Sequence, residues 1–190
     1  MTAFSGNWFQ RRGARRKAAG EAYRRLLRHA LEPYWYLDGG VPDIFDGRAG
    51  MVTILTSLAI VRLSRIAGPD TVFVTARLND LVLDGFDAAF REKGVGDASI
   101  ARKVRKLAEV HAGFGKALFA AFSGPPGPEQ ADELAEILRR NGAVAAGRAA
   151  ALAVQLRALQ AHLAGQADDE ILHGRFDWIT SAAGGPAYQH

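Results

Sequence analysis

The chain has no cysteine among its 190 residues. A disulfide framework and a thiolate metal site are therefore both excluded, and a reducing compartment is the natural expectation. Alternating runs of β-branched residues are nearly absent, which argues against sheet, while abundant alanine and leucine favour helix. The longest uncharged apolar run, Ala49 to Val61 between Arg48 and Arg62, has 13 residues, where a membrane span needs roughly 20. It predicts a buried helix. The five histidines, His29, His111, His162, His173 and His190, are scattered, with no HExxH pairing, no GxSxG elbow and no cysteine nucleophile. No enzyme, metal or cofactor is expected on these residues.

What is present is unevenly charged. Residues 1 to 31 hold eight Arg or Lys against the single acid Glu21, whereas the rest of the chain has more acids than bases; overall the net charge is +4. A basic arm, residues 1–19 and expected to be flexible, thus precedes a mildly acidic helical domain, residues 20–180, and a glycine-rich tail, residues 181–190. Trp8, Arg11, Arg12, Arg15, Arg16 and Lys17 in the arm point to an anionic partner, either lipid headgroups or RNA. A solvated helix face explains the charge equally well.

Hydrophobic periodicity predicts an all-α single-domain bundle of about six helices. A first helix starts near Gly20, with Tyr23, Leu26, Leu27, Ala30 and Leu31 on one stripe, and ends before Pro33. The segment YWYLDGGVPDIFDGRAG reads as an irregular connection. Its Asp38, Asp43 and Asp46 depart from a calcium-loop pattern and suit caps and turns better. Further helices are expected over about 48–67, 70–93, 99–122, 128–140 and 143–164, stopped by Gly68-Pro69, by SGPPGP and by Asn141-Gly142.

The stretch FREKGVGDASIARKVRK joins two of these helices. Gly94 suits a left-handed C-terminal cap and Asp97 or Ser99 an N-cap. A phosphate loop would need a third glycine and a preceding strand. A nucleic-acid-binding module using the basic helix 99–122, with Arg102, Lys103, Arg105 and Lys106, is the strongest rival. It lacks base-reading Asn or Gln there, and Ile100, Val104, Leu107, His111, Phe114 and Leu118 form an apolar stripe for which the cations are the wet flank. His111 on that stripe is expected to be a satisfied core histidine.

Several ordered blocks resemble the ubiquinol-cytochrome c chaperone family, which assists assembly of cytochrome b into the respiratory cytochrome bc complex. They are AYRRLLRHALEPYWY (residues 22–36), VPDIFDGR (41–48), FDAAFREKGVGDASI (86–100), RRN (139–141) and ILHGRFDW (171–178). The sharpest is the turn Arg91, Glu92, Gly94, Val95, Gly96 and Asp97. The chain departs from the family at His111 to Phe114, where an aromatic and an arginine are usual, and at Leu118, where tyrosine is.

The resemblance implies a non-enzymatic, all-helical chaperone that takes no cofactor and binds newly made, unassembled cytochrome b. It implies action at the cytoplasmic or matrix face of an inner membrane, peripherally associated. Ribosome or anionic membrane is then a further partner for the arm, a small partner protein another, and DNA none. An apolar client needs a hydrophobic groove, for which Tyr34, Trp35, Tyr36, Phe45 and Arg48 are candidate wall residues; lids over the core is the competing reading of the same aromatics.

Overall fold

The computed structural model describes residues 7–92, 97–125, 127–145 and 147–178, the side chains of 97–101 aside. It contains α1 (Trp8–Ala30), α2 (Pro33–Leu37), α3 (Phe45–Ser64), α4 (Pro69–Glu92), α5 (Asp97–Ser123), α6 (Pro128–Arg140), α7 (Ala149–Ala164) and α8 (Asp168–Leu172). Among the described residues there is no strand. The expected all-α bundle is the observed one, with α2 and α8 as short extra helices. No helix of the described residues is long and apolar enough to cross a membrane.

The apolar run predicted to be buried is the hub. α3 packs against α1, α4, α5, α7 and α8, and every residue from Met51 to Ala59 is buried. Its hydroxyls cost little there, because Thr53, Thr56 and Ser57 donate to the carbonyls of Ala49, Val52 and Thr53 at 2.9, 2.7 and 2.9 Å, so none of these three hydroxyls is left without an acceptor. Arg62 is buried near the helix end. It donates to the carbonyls of Leu163 at 2.8 Å and Gln166 at 2.6 Å and to Asp168 at 2.6 Å, tying α3 to the α7–α8 turn by charge-assisted bonds.

Two helix starts differ from expectation. α1 begins at Trp8, not near Gly20, because Asn7 and Gln10 form a reciprocal capping box, each side chain accepting the other's backbone N–H at 3.0 Å. Residues 8–19 are therefore helical, and the small side chains of Ala18, Ala19 and Ala22 are buried against the bundle. α7 begins at Ala149, not Ala143. Gly142 and Gly147 take φ of 61° and 78°, which breaks the alanine-rich run, and the Ala145 N–H is spent on the Gly40 carbonyl at 2.7 Å.

The last described segment closes the core under α1. Gly174 sits at φ +77°, and a Cβ there would lie 2.0 Å from the Ala18 carbonyl oxygen, so only glycine allows that approach. Beyond it Phe176 stacks on Trp178 at 5.5 Å, Trp178 on His29 at 5.7 Å, and His29 meets Trp35 edge-on at 5.4 Å.

Candidate client groove

α1, α3 and α4 leave a cavity of about 820 Å³ between them. α1 and its C-cap contribute Tyr23, Leu27 and Leu31, α3 contributes Phe45, Arg48, Ala49 and Val52, and α4 contributes Val82, Gly85, Phe86, Ala88, Ala89 and Glu92. The loop before α3 adds Asp43 and Ile44. Charge is confined to Asp43, Arg48 and Glu92, so the groove is an apolar trough with three charged groups. Leu31 and Ile44 are left 45% and 59% exposed at its edge.

The small residues of α4 shape the trough. Gly85, Ala88, Ala89 and Glu92 fall three, four and seven residues apart, along one face of the helix. At Gly85 an added Cβ would lie 2.0 Å from the Tyr23 hydroxyl, so the glycine makes room for that ring. Burial, with Asp84 assisting, raises the Tyr23 pKa. Phe45 meets Phe90 at 4.6 Å, which fixes Phe45 against α4.

The loop 38–44 is held from beneath. Gly47, in the first turn of α3, would place a Cβ 2.0 Å from the Pro42 carbonyl oxygen, and that oxygen also accepts the Ile44 N–H at 2.8 Å. The VPDIFDGR block is thus a tightly folded corner that presents Ile44 and Phe45. Arg48 bonds Asp43 at 2.7 Å and lies 5.4 Å above the Tyr36 ring. Tyr36 donates to the Ala30 carbonyl at 2.6 Å, and burial pushes its pKa up to about 12.

The five sequence-chosen wall residues separate into two groups. Phe45 and Arg48 line the trough. Trp35 is a core residue, 3% exposed, donating its indole N–H to the His29 carbonyl at 2.8 Å; Tyr34 is half-buried and accepts from Gln155 at 2.6 Å. Tyr36 reaches the groove through Arg48 alone. Of the signature turn, Arg91 pairs with Asp87 at 2.8 Å and Glu92 lines the groove. Gly94, Val95 and Gly96, with the Asp97 side chain and the capping roles given to Gly94, Asp97 and Ser99, lie outside the described residues.

The residues that sequence reasoning missed are Leu31, Ile44, Gly85, Ala88 and Ala89. An isolated glycine inside the helical pattern at Gly85 was the available signal. His111 is half-buried and bonded to Thr53 at 2.8 Å, with burial lowering its pKa. Asp38, Asp43 and Asp46 do not converge, and no group of metal-binding side chains is found among the described residues.

The fold and its trough define an all-α bundle with a mainly apolar groove between α1, α3 and α4. This chain belongs to the ubiquinol-cytochrome C chaperone family, whose model matches residues 37–178. Its fold is similar to the crystal structure of the Cbp3 homologue from Brucella abortus, with a TM-score of 0.75 at 23% identity over 90% of this chain and 94% of that one. No curated protein matches the sequence. The family read from the ordered blocks is therefore the family found.

Proposed function

We propose that this chaperone binds newly made cytochrome b before its assembly into the cytochrome bc complex, working without catalysis at the cytoplasmic or matrix face of an inner membrane. The observation that carries this reading is the trough between α1, α3 and α4. An unassembled membrane subunit exposes apolar helices to water, and covering one such face in a trough lined by Leu27, Val52, Val82 and Phe86 removes that surface at about 25 cal/mol per Å². With Gly85 occupied by Tyr23, the small side chains of Ala88 and Ala89 on α4 let a guest helix approach closely, as small residues do at helix interfaces in membranes.

The test is affinity purification of the full chain from cells accumulating unassembled cytochrome b. The wild-type chain should recover that protein, and Ala88→Arg, which puts a long cation into the trough from an exposed position, should not. Failure of the wild type to recover it would remove the reading. The nucleic-acid alternative rests on Arg102, Lys103, Arg105 and Lys106, all exposed on α5. Family membership favours the chaperone, so no salt-dependent binding to duplex DNA is expected.

A further inference from the structure

A second cavity, about 690 Å³ in volume, opens on the other flank of α4, with α3 and α4 contributing to its lining and α5 supplying most of it. It is separate from the client trough. On α5 the lining residues Ala108, Glu109, Ala112, Lys116 and Phe119 lie three, four, seven, eleven and fourteen positions beyond Arg105, so all six share one face of the helix. Arg105, Glu109, Ala112 and Lys116 are exposed, and Phe119 is left 37% exposed. The three charged groups make no ion pair with the described residues.

The order of these residues is its own complement. If two copies of α5 lie antiparallel about a two-fold axis through Ala112, residues equally far before and after that position come opposite each other. Arg105, seven positions before, then meets Phe119, seven after, as a cation over a ring. Ala108, four before, meets Lys116, four after, and its small side chain leaves room for the lysine stem to cross and reach the neighbouring Glu109. Ala112 meets itself. A single methyl on each side lets the two backbones approach to about 8 Å, the close end of helix spacings.

The same array disfavours other occupants. An apolar helix would desolvate three charges and pair none of them. A nucleic acid or an anionic membrane would gain Arg105 and Lys116 but would meet Glu109 between them. A second copy brings a carboxylate for each lysine and a ring for each arginine.

We propose that this face of α5 is a self-recognition surface through which two copies of the chain pair about a two-fold axis at Ala112. The client trough lies on the opposite flank of α4, so pairing neither needs the client nor covers its site. A contact one helix wide belongs to the small, reversible class of interfaces, below about 1,200 Å².

The experiment is sedimentation equilibrium of the purified full chain, without client, over a range of concentrations. Reversible monomer–dimer association is expected. Glu109→Lys and Lys116→Glu should each weaken it about a hundredfold, because the symmetry applies every like-charge clash twice; both should keep the wild-type circular dichroism spectrum, since neither residue is paired within the chain. An equimolar mixture of the two variants should associate again, with lysine facing glutamate at both contacts, and so should the double variant Glu109→Lys/Lys116→Glu. The absence of native cysteine gives an independent readout. Ala112→Cys should form a disulfide-linked dimer on mild oxidation, whereas Val110→Cys, 51% exposed but about 160° away around the helix, should not. The proposal is overturned if the wild-type chain is monomeric at every concentration, if either single variant associates like the wild type, or if the mixture stays monomeric. It is also overturned if Val110→Cys cross-links as readily as Ala112→Cys.

Discussion

Two grooves flank α4, and they differ in how their polar groups are arranged rather than in how apolar they are. On the α1 side the trough is lined by aliphatic, aromatic and small residues, with charge limited to Asp43, Arg48 and Glu92. On the α5 side a second cavity of about 690 Å³ sets Thr56, Ser57, Asn79 and His111 among Ile60, Leu83 and Phe119, beside Arg105, Glu109 and Lys116. Phe86 and His111, in edge contact at 5.4 Å, stand between them. An apolar helix laid over the second cavity would strip water from an amide and from ionised groups without replacing their hydrogen bonds, at a cost of roughly 1–3 kcal/mol for each polar group. Both linings are otherwise mainly hydrocarbon, but in the first, two of the three charged groups already pair with each other, Arg48 with Asp43 at 2.7 Å. One helix thus walls both cavities.

The largest test of that contrast is Gly47→Ala. The new Cβ would meet a backbone oxygen, which cannot rotate away, so the loop carrying Ile44 must lift. A loss of about 2 kcal/mol in stability is expected, read as a lowered thermal midpoint, together with loss of cytochrome b capture. Next comes a matched pair of arginine insertions at exposed alanines. Ala88→Arg in the first groove should weaken capture about tenfold or more with the thermal midpoint retained; Ala112→Arg in the second should leave capture unchanged. Equal losses from both would show that the grooves are not distinguished.

Much of this architecture was legible locally. The apolar run bounded by Arg48 and Arg62 marked α3, Gly68-Pro69 marked the start of α4, and Pro128 with Asn141-Gly142 bracketed α6, because each boundary is set by residues within a turn of it. The start of α1 was also written locally, in Asn7 and Gln10, but Gly13 reads as a breaker and hides it; in the fold a Cβ there would meet nothing within 4 Å, so the glycine neither packs nor bends the chain. The groove was only half legible. Phe45 and Arg48 belong to a recognisable block, whereas the value of Gly85 depends on Tyr23, a partner on another helix. Trp35 shows the converse limit: an aromatic in a polar, glycine-rich stretch does not announce whether it faces client or core.

The smallest expected effect concerns the partition between the grooves. The Thr53 hydroxyl donates to the Ala49 carbonyl at 2.9 Å, so its bond with His111 Nδ1 at 2.8 Å requires the imidazole to be the donor. Burial lowers the pKa of His111, and burial outweighs the raising effect of Glu32 at His29. In both cases the folded chain favours the neutral ring. Below about pH 6.5 the unfolded chain takes up protons that the folded chain resists, so the associated stability is present above that pH and is lost as pH falls toward the lowered folded values. Thermal midpoints should therefore be level between about pH 8 and 7 and decline below about 6.5. His111→Gln keeps a donor for Thr53 but cannot titrate, and it should flatten part of that decline. If the His111→Gln and wild-type profiles have the same slope, protonation at the wall between the grooves does not contribute to acid sensitivity, and the contrast between the two cavities rests on their static linings alone.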